Sequence, residues 1–395
     1  MSRLWLKNKN KNKNKNKNKN MKVLITGANG FIGKNLQLHL ARRKDIQCLC
    51  FVRGDDVTQL PVMLQGADFV FHLAGVNRPL DPAEFASGNT GLTLALCQAV
   101  GAVAAATGQK IPVVYTSSTQ AGSDNAYGLS KLAAENALFA LQREQGVPVH
   151  VFRLPNVFGK WSRPHYNSCV ATFCHNIARD LPITVNDPFA PVTLVYVDDV
   201  IERFLQVIDG ADAAVDAKGF ATVMPQYTLS VGDLAHLIQS FGDSRQTQMI
   251  DRVGTGLVRA LYATYVSYLP PERFAYTVAQ HADPRGVFVE MIKTPDCGQF
   301  SYFTALPGVT RGGHYHHSKT EKFLVVKGQA RFKFRHVQTG QTHLILTCGD
   351  KPEMVETVPG WTHDITNVGT DLMIVMLWAN EVFDRERPDT FACAV

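Results

Sequence analysis

Two sets of residues in this chain have the types and spacing to do chemistry. Tyr127 and Lys131 stand four apart in Tyr127-Gly128-Leu129-Ser130-Lys131, so on a helix they share one face. An ammonium beside a phenol is expected to lower the phenol's pKa and make it a proton donor and acceptor near neutrality. Upstream, Tyr115-Thr116-Ser117-Ser118-Thr119 places hydroxyls at the end of an apolar run, where one of them can hydrogen-bond a substrate carbonyl. The second set is His314, His316, Glu321 and His363. Residues two apart on a strand face the same side, so His314 and His316 point together. Three imidazoles and a carboxylate suit Zn²⁺ or another divalent metal.

A third feature is Gly27-Ala28-Asn29-Gly30-Phe31-Ile32-Gly33, which follows the apolar run Val23-Leu24-Ile25 and opens a helical stretch. Glycines in that strand–turn–helix context permit a tight turn and let backbone N–H groups approach a pyrophosphate. The second strand ends Phe51-Val52-Arg53-Gly54. A carboxylate there would accept a ribose hydroxyl; Arg53 instead suits a 2′-phosphate, which points to NADPH.

The elements that must hold these residues alternate from Lys22 onward. Strands are expected at 23–25, 47–52, 69–73 and 113–115, with helices over 31–43 and 90–107. That alternation predicts a doubly wound parallel α/β sheet of Rossmann type. The character changes near Pro270-Pro271, and from Gly286 onward short β-branched and aromatic runs alternate with turn residues, at 323–326, 330–334, 343–347 and 373–378. They predict an all-β sandwich or barrel. The division is therefore a tail at 1–20, an α/β domain at 21–268 and a β domain at 269–395.

Charge excludes one class of partner. The chain carries +6 overall, but Arg3 and the seven lysines of the Lys7–Asn20 repeat hold +8, leaving −2 for residues 21–395. The body thus offers no basic face for nucleic acid. The repeat has no apolar periodicity and is expected to be a disordered appendage, with Met21 opening the folded protein. Leu4-Trp5-Leu6 is too short for a secretory signal. No apolar stretch is expected to reach membrane-spanning length, 99–106 being too short. Eight cysteines without a CxxC pair fit reduced, buried thiols of a cytoplasmic protein.

The glycine spacing G-x-x-G-x-x-G, with the Tyr127/Lys131 pair, resembles the extended short-chain dehydrogenase/reductases. Phe71-His72-Leu73-Ala74-Gly75 is similar to that family's cofactor-side segment and Asn89 to its structural asparagine. The segments 153–159 and 196–200 resemble its nicotinamide-side and later elements. By register with these reductases Ser118 is the substrate-binding hydroxyl. The resemblance implies cofactor contacts at Gly27, Asn29, Gly30, Phe31, Ile32, Gly33, Arg53, Leu73, Ala74, Gly75, Tyr127 and Lys131. Substrate contacts are expected at Arg78, Asn156, Lys160, Arg163 and Tyr166, the last three facing an anionic diphosphate.

Gly308-x5-His314-x-His316-x4-Glu321-x6-Gly328 resembles the first cupin motif, and Pro359-Gly360-Trp361-Thr362-His363-x3-Asn367 the second, with one residue fewer between Pro and Gly. The segments 283–290 and 311–314 resemble the dTDP-sugar 3,5-epimerases, metal-free cupins whose matching histidine is a base. His314 thus has two alternative roles, ligand or base.

The order reductase then cupin over residues 21–395 resembles the CapF/WbjC-type enzymes of bacterial surface-polysaccharide synthesis, notably at 72–79 (HLAGVNRP), 155–178, 312–327 and 380–390. That implies a homodimeric cytoplasmic enzyme using NADPH and zinc on a UDP-2-acetamido-2,6-dideoxy-hexos-4-ulose. The cupin would epimerise C3 and the reductase would reduce C4, giving UDP-2-acetamido-2,6-dideoxy-L-talose on the way to UDP-N-acetyl-L-fucosamine. Two alternatives stand beside it: another nucleotide-sugar reductase or epimerase whose cupin is a metal-stabilised dimerisation module, and a non-enzymatic NADPH-binding regulator.

The Arg53 assignment has a direct check. NADPH should bind more tightly than NADH, and Arg53→Ala should weaken NADPH selectively. Equal wild-type dissociation constants for the two dinucleotides would refute it.

Overall fold

The computed structural model describes residues 20–211, 214–278, 280–283, 286–289, 292, 298–381 and 386–395. Residues 1–19 of the Lys-Asn tail lie outside them, as do Pro284, Arg285 and Glu290 of the segment 283–290. The described residues form two compact units, each built from two stretches of chain.

The first unit runs to Pro155 and takes in Val197–Pro225. Its sheet is parallel, in the order β2 (Ile46–Phe51), β1 (Met21–Thr26), β3 (Phe69–His72), β4 (Val113–Ser118), β5 (Val149–Leu154). All four residues of β3 and five of the six in β4 are buried, as expected when helices cover both faces. One face packs Leu24, Val70, Val113 and Val151 under Leu96, Val100 and Leu138. On the other, Phe204 of helix Val197–Ile208 stands 5.5 Å from Phe71 and 5.1 Å from Phe152. The strand order reverses between β1 and β3, which opens a crevice at their carboxyl ends.

One expectation is corrected here. The helical stretch Ala83–Thr107, 25 residues, is long and apolar enough to cross a membrane by length and composition, where no stretch of that size was expected. The helix begins earlier than its apolar run, through the π-helical turn Ala86–Gly91. Thr93, Leu96, Ala99, Val100 and Ala104 are its buried side, and it packs on helices Leu60–Leu64 and Ala126–Gln145.

The second unit joins Asn156–Tyr196 to Gln226–Val395. A small sheet of β6 (Asn156–Phe158), β7 (Pro191–Tyr196) and β8 (Tyr227–Ser230) accompanies helices Cys169–Ile177, Val231–Thr247 and Gly256–Ser267. Beyond these lie an antiparallel pair, β10 (Gln280–Asp283) and β11 (Gly286–Val289), and two five-stranded sheets. The first orders β12 (Gln299–Ala305), β19 (Met373–Ala379), β14 (Glu321–Lys327), β17 (Glu353–Glu356) and β9 (Ala275–Thr277). The second orders β16 (Thr342–Cys348), β15 (Gln329–His336), β18 (Trp361–Asn367), β13 (Thr310–Tyr315) and β20 (Phe391–Ala392). Their pairings are antiparallel, and Phe323 meets Phe332 across the sheets at 5.7 Å. This is the antiparallel β domain of a jelly roll. The sequence division at 268/269 falls where the last long helix ends, at Ser267, and β9 follows at Ala275. The compact units divide elsewhere, because 156–196 and 226–268 pack with the strands that follow.

A buried ion cluster ties the helices of this unit to its strands. Glu356 of β17 is 3% exposed and pairs with both Lys322 of β14 and Arg245 of helix Val231–Thr247. Arg245 also lies 4.1 Å from the Tyr276 ring centre and donates to the Arg273 carbonyl. Burial alone would raise the Glu356 pKa, but Arg245 and Lys322 outweigh it and hold the carboxyl below its ordinary value. Glu356→Ala would leave two cations unpaired, a change that costs about 3–5 kcal/mol in buried pairs. Urea denaturation of wild type and variant measures it, and a loss below about 1 kcal/mol would show the cluster to be dispensable.

Candidate functional site

The glycine turn forms the N-terminal wall of the crevice. Gly27 has φ +68°, and a Cβ there would lie 2.6 Å from the Ala74 nitrogen, so only glycine lets β1 and β3 deliver their loops this close. A Cβ on Gly33 would meet the Gly27 carbonyl at 2.4 Å. Gly30 donates to the Gly27 carbonyl at 2.9 Å and begins helix Phe31–Leu40. Asn29 and Gly30 are exposed, Phe31 and Ile32 half-buried, and the first-turn N–H groups carry no side-chain cap. That is a seat for an anion at a helix terminus. Leu73, Ala74 and Gly75 follow β3 on the facing side. The Arg53 side chain is 87% exposed and pairs with Glu84 at 3.0 Å, a surface pair weak enough to exchange for a phosphate.

Ser118 ends β4, and its Oγ accepts from Gln120 N at 3.1 Å. Tyr127 and Lys131 both project from helix Ala126–Gln145, whose start is capped by Asn125 accepting from Gly128 N at 2.8 Å. One electrostatic expectation is corrected. Burial raises the Tyr127 pKa, and only Ser118 opposes it. The Lys131 ammonium is turned to β4, donating to the Thr116 carbonyl at 2.9 Å and the Tyr115 hydroxyl at 3.3 Å. Burial depresses Lys131 to about 8, with Glu135 opposing.

Sequence reasoning missed the acidic support of this set. Glu135 lies one turn beyond Lys131 and is 1% exposed. It accepts from Ser117 Oγ at 2.5 Å and from Arg153 through both carboxylate oxygens at 2.9 and 2.6 Å. The signal was present as a carboxylate on the buried face of the Tyr-Lys helix, but its partners on β4 and β5 were not readable. Asn89 accepts from Val76 N at 2.7 Å and donates to Ser130 Oγ at 2.9 Å, tying the Gly75 loop to the same helix.

The expected substrate residues are divided between the units. Arg78 is exposed in the first. In the second, Asn156 donates to the Thr193 carbonyl at 3.1 Å. Lys160 is 1% exposed, with its ammonium 5.5 Å from the Trp161 ring centre, while Arg163 is exposed and 5.2 Å from the Tyr166 ring.

In the β domain the four expected ligands do converge. A register shift between Gly312 and His314 sets His314 opposite His363 on β18. Ligand atoms of His314, His316, Glu321 and His363 lie within 4.8 Å of one another. Glu321 Oε2 is 3.2 Å from His316 Nε2 and 3.6 Å from His363 Nε2, and Lys319 reaches Glu321 Oε1 at 3.0 Å. Burial, then the neighbouring His363 and His316, depresses His314 to about 4. The Glu321 carboxyl stays ionised because His316 and the other cations outweigh its burial.

The donor set fits a divalent metal. Both ring nitrogens of His363 are buried without a hydrogen-bond partner, a cost that a metal at Nε2 would relieve. The crevice residues likewise fit a nicotinamide dinucleotide, since the side chains that would obstruct the turn are absent at Gly27, Gly30 and Gly33. His363→Ala should therefore lower the zinc retained after dialysis, by atomic emission. Full retention would remove His363 from the ligand set.

Known proteins resemble both parts of the chain. Residues 23–220 match the NAD dependent epimerase/dehydratase family and residues 281–391 the polysaccharide biosynthesis C-terminal domain. A UDP-2-acetamido-2,6-beta-L-arabino-hexul-4-ose reductase of Pseudomonas aeruginosa is 61% identical over 95% of this chain and 99% of its own length. The capsular polysaccharide assembling protein CapF of Staphylococcus aureus superposes with a TM-score of 0.63 at 40% identity, over 95% of this chain and 100% of that one. A UDP-glucuronic acid 4-epimerase of Bacillus cereus, at 17% identity and TM-score 0.51, shares the fold over 63% of this chain and 96% of its own. The chain belongs to the CapF/WbjC-type family of polysaccharide-biosynthesis enzymes, an epimerase/dehydratase-type domain followed by a polysaccharide-biosynthesis C-terminal domain.

Proposed function

We propose that the chain is a nucleotide-sugar reductase with a second, epimerising site, acting on a UDP-2-acetamido-2,6-dideoxy-hexos-4-ulose. The observation that carries the reading is the convergence of the Tyr127/Lys131 helix on β4, which ends in Ser118, with the buried Lys131 ammonium donating to the Thr116 carbonyl at 2.9 Å. The 61% identity to a reductase of such a sugar supports the substrate class. Arg53 supports NADPH, whose bound form supplies the hydride. Ser118 would hold the C4 carbonyl and Tyr127 would give its proton to the resulting O4 alkoxide. Lys131 would hold the ribose and restore the phenol's proton balance. Arg78, Asn156, Lys160, Arg163 and Tyr166 are the proposed substrate contacts, and of Lys160 and Arg163 the exposed Arg163 is the better placed for an anionic diphosphate.

The β domain's proposed part is C3 epimerisation. A 4-keto group acidifies the C3 hydrogen, so a base can form an enolate and reprotonation on the opposite face inverts the centre. His314, kept neutral by its surroundings, is the proposed base. His316, Glu321 and His363 are proposed to hold a zinc ion, which when bound is structural or polarises the oxygen. The product would be UDP-2-acetamido-2,6-dideoxy-L-talose. The catalytic division follows the sequence, 21–268 and 269–395. We further place the enzyme in the cytoplasm as a homodimer, in keeping with described cysteines that are all unpaired.

One experiment separates the two activities. The full chain is incubated with the 4-keto UDP-sugar in deuterated water, with and without NADPH. Deuterium should enter C3 without NADPH, and C4 reduction should follow when NADPH is added. Tyr127→Phe should lower reduction by at least about 100-fold yet leave exchange running, whereas His314→Ala should stop exchange. Reduction at the wild-type rate in Tyr127→Phe would remove the phenol as proton donor. Exchange at the wild-type rate in His314→Ala would exclude that histidine as the base.

A further inference from the structure

The turn between His316 and Glu321 is gathered on one carboxylate from far along the chain. Asp389 accepts from the backbone N–H of His317 at 2.9 Å, of Ser318 at 2.7 Å and of Lys319 at 2.7 Å, and from Ser318 Oγ at 3.0 Å. Its own main-chain carbonyl lies in hydrogen-bond contact with His316 Nδ1. A carbonyl only accepts, so His316 carries a proton on Nδ1, which leaves Nε2 to face Glu321 Oε2, 3.2 Å away. A proton joins the two when the site is metal-free, and a metal ion can take its place. Asp389 itself is fixed by β20, which begins two residues later and pairs His314 with Ala392 and Tyr315 with Phe391. The same clamp seats Lys319, whose ammonium holds the second oxygen of Glu321 at 3.0 Å.

We propose that Asp389 is a positioning residue of the metal centre, clamping the 316–319 turn so that His316 and Glu321 meet the ion in the right tautomer and orientation. Lys319, seated by that clamp, steadies the carboxylate from behind. This rests on reading His316, Glu321 and His363 as the residues that hold a metal ion beside His314. Outer partners that orient metal ligands commonly change affinity by about 10–100-fold when removed.

The test uses the full chain, stripped with chelator and titrated with Zn²⁺ against a competing indicator. Asp389→Ala should bind zinc about 10–100-fold more weakly than wild type, and Asp389→Asn, which keeps one acceptor, should fall between them. Thermal melts of metal-free and zinc-loaded protein give the second readout. A loss of general stability lowers both midpoints equally, whereas a loss of positioning shrinks the gap between them. NADPH affinity should not move. If Asp389→Ala does not fold, Lys319→Met probes the clamp from its other end and should weaken zinc several-fold. Wild type that takes up no zinc would overturn the metal reading itself. Wild type that binds while Asp389→Ala, or Lys319→Met in its place, binds equally well would overturn the clamp alone.

Discussion

A carboxylate withdrawn from water must be matched in place by cations or donors, and three buried glutamates organise this protein under that constraint. Glu135 is met by Arg153 and Ser117, Glu356 by Lys322 and Arg245, and Glu321 by His316 and Lys319. Each draws together elements that the hydrophobic core alone would leave free to slide. Apolar packing has no direction, whereas an ion pair with hydrogen bonds on both carboxylate oxygens fixes one geometry.

The first of these has a chemical consequence. Glu135 joins the helix that carries Tyr127 and Lys131 to β4, which ends in Ser118, and to β5 through Arg153. The three groups proposed for proton transfer therefore sit on elements bolted a few residues away. Lys131 leans on Thr116 and Tyr115 rather than on the Tyr127 phenol, so the phenol's high pKa reflects burial. A lowered pKa would require a neighbouring positive charge at the phenol, which the described residues do not direct there.

The two sites satisfy polar groups in opposite ways. The crevice leaves backbone N–H groups of a helix start uncapped, a donor array that suits an anionic pyrophosphate. The β-domain cluster instead collects lone pairs, with His363 unpartnered at both nitrogens, an acceptor array that suits a cation. Donor-rich and acceptor-rich sites on one chain fit a dinucleotide and a metal respectively.

Much of this was legible in the sequence because it is local. The Gly27–Gly33 turn follows from φ and close approach at single residues, and the strand–helix alternation from period. The His314/His316 pair follows from the two-residue repeat of a strand. The tertiary structure decided what depends on partners distant in the chain. Arg245 and Glu356 stand 111 positions apart, and Asp389 lies 73 beyond the histidine it orients. The helical stretch Ala83–Thr107 outran its apolar run, because Asn89 and Thr93 find buried partners at Val76, Ser130 and His72 that composition cannot show. The segments 156–196 and 226–268 pack with the β domain through contacts with no local signature. Sequence by itself determined which elements form and which residues carry the chemistry, since propensity and period act over a few residues. Only the fold decided how buried charges are paired and which way each side chain turns, because burial and pairing are properties of the assembled chain.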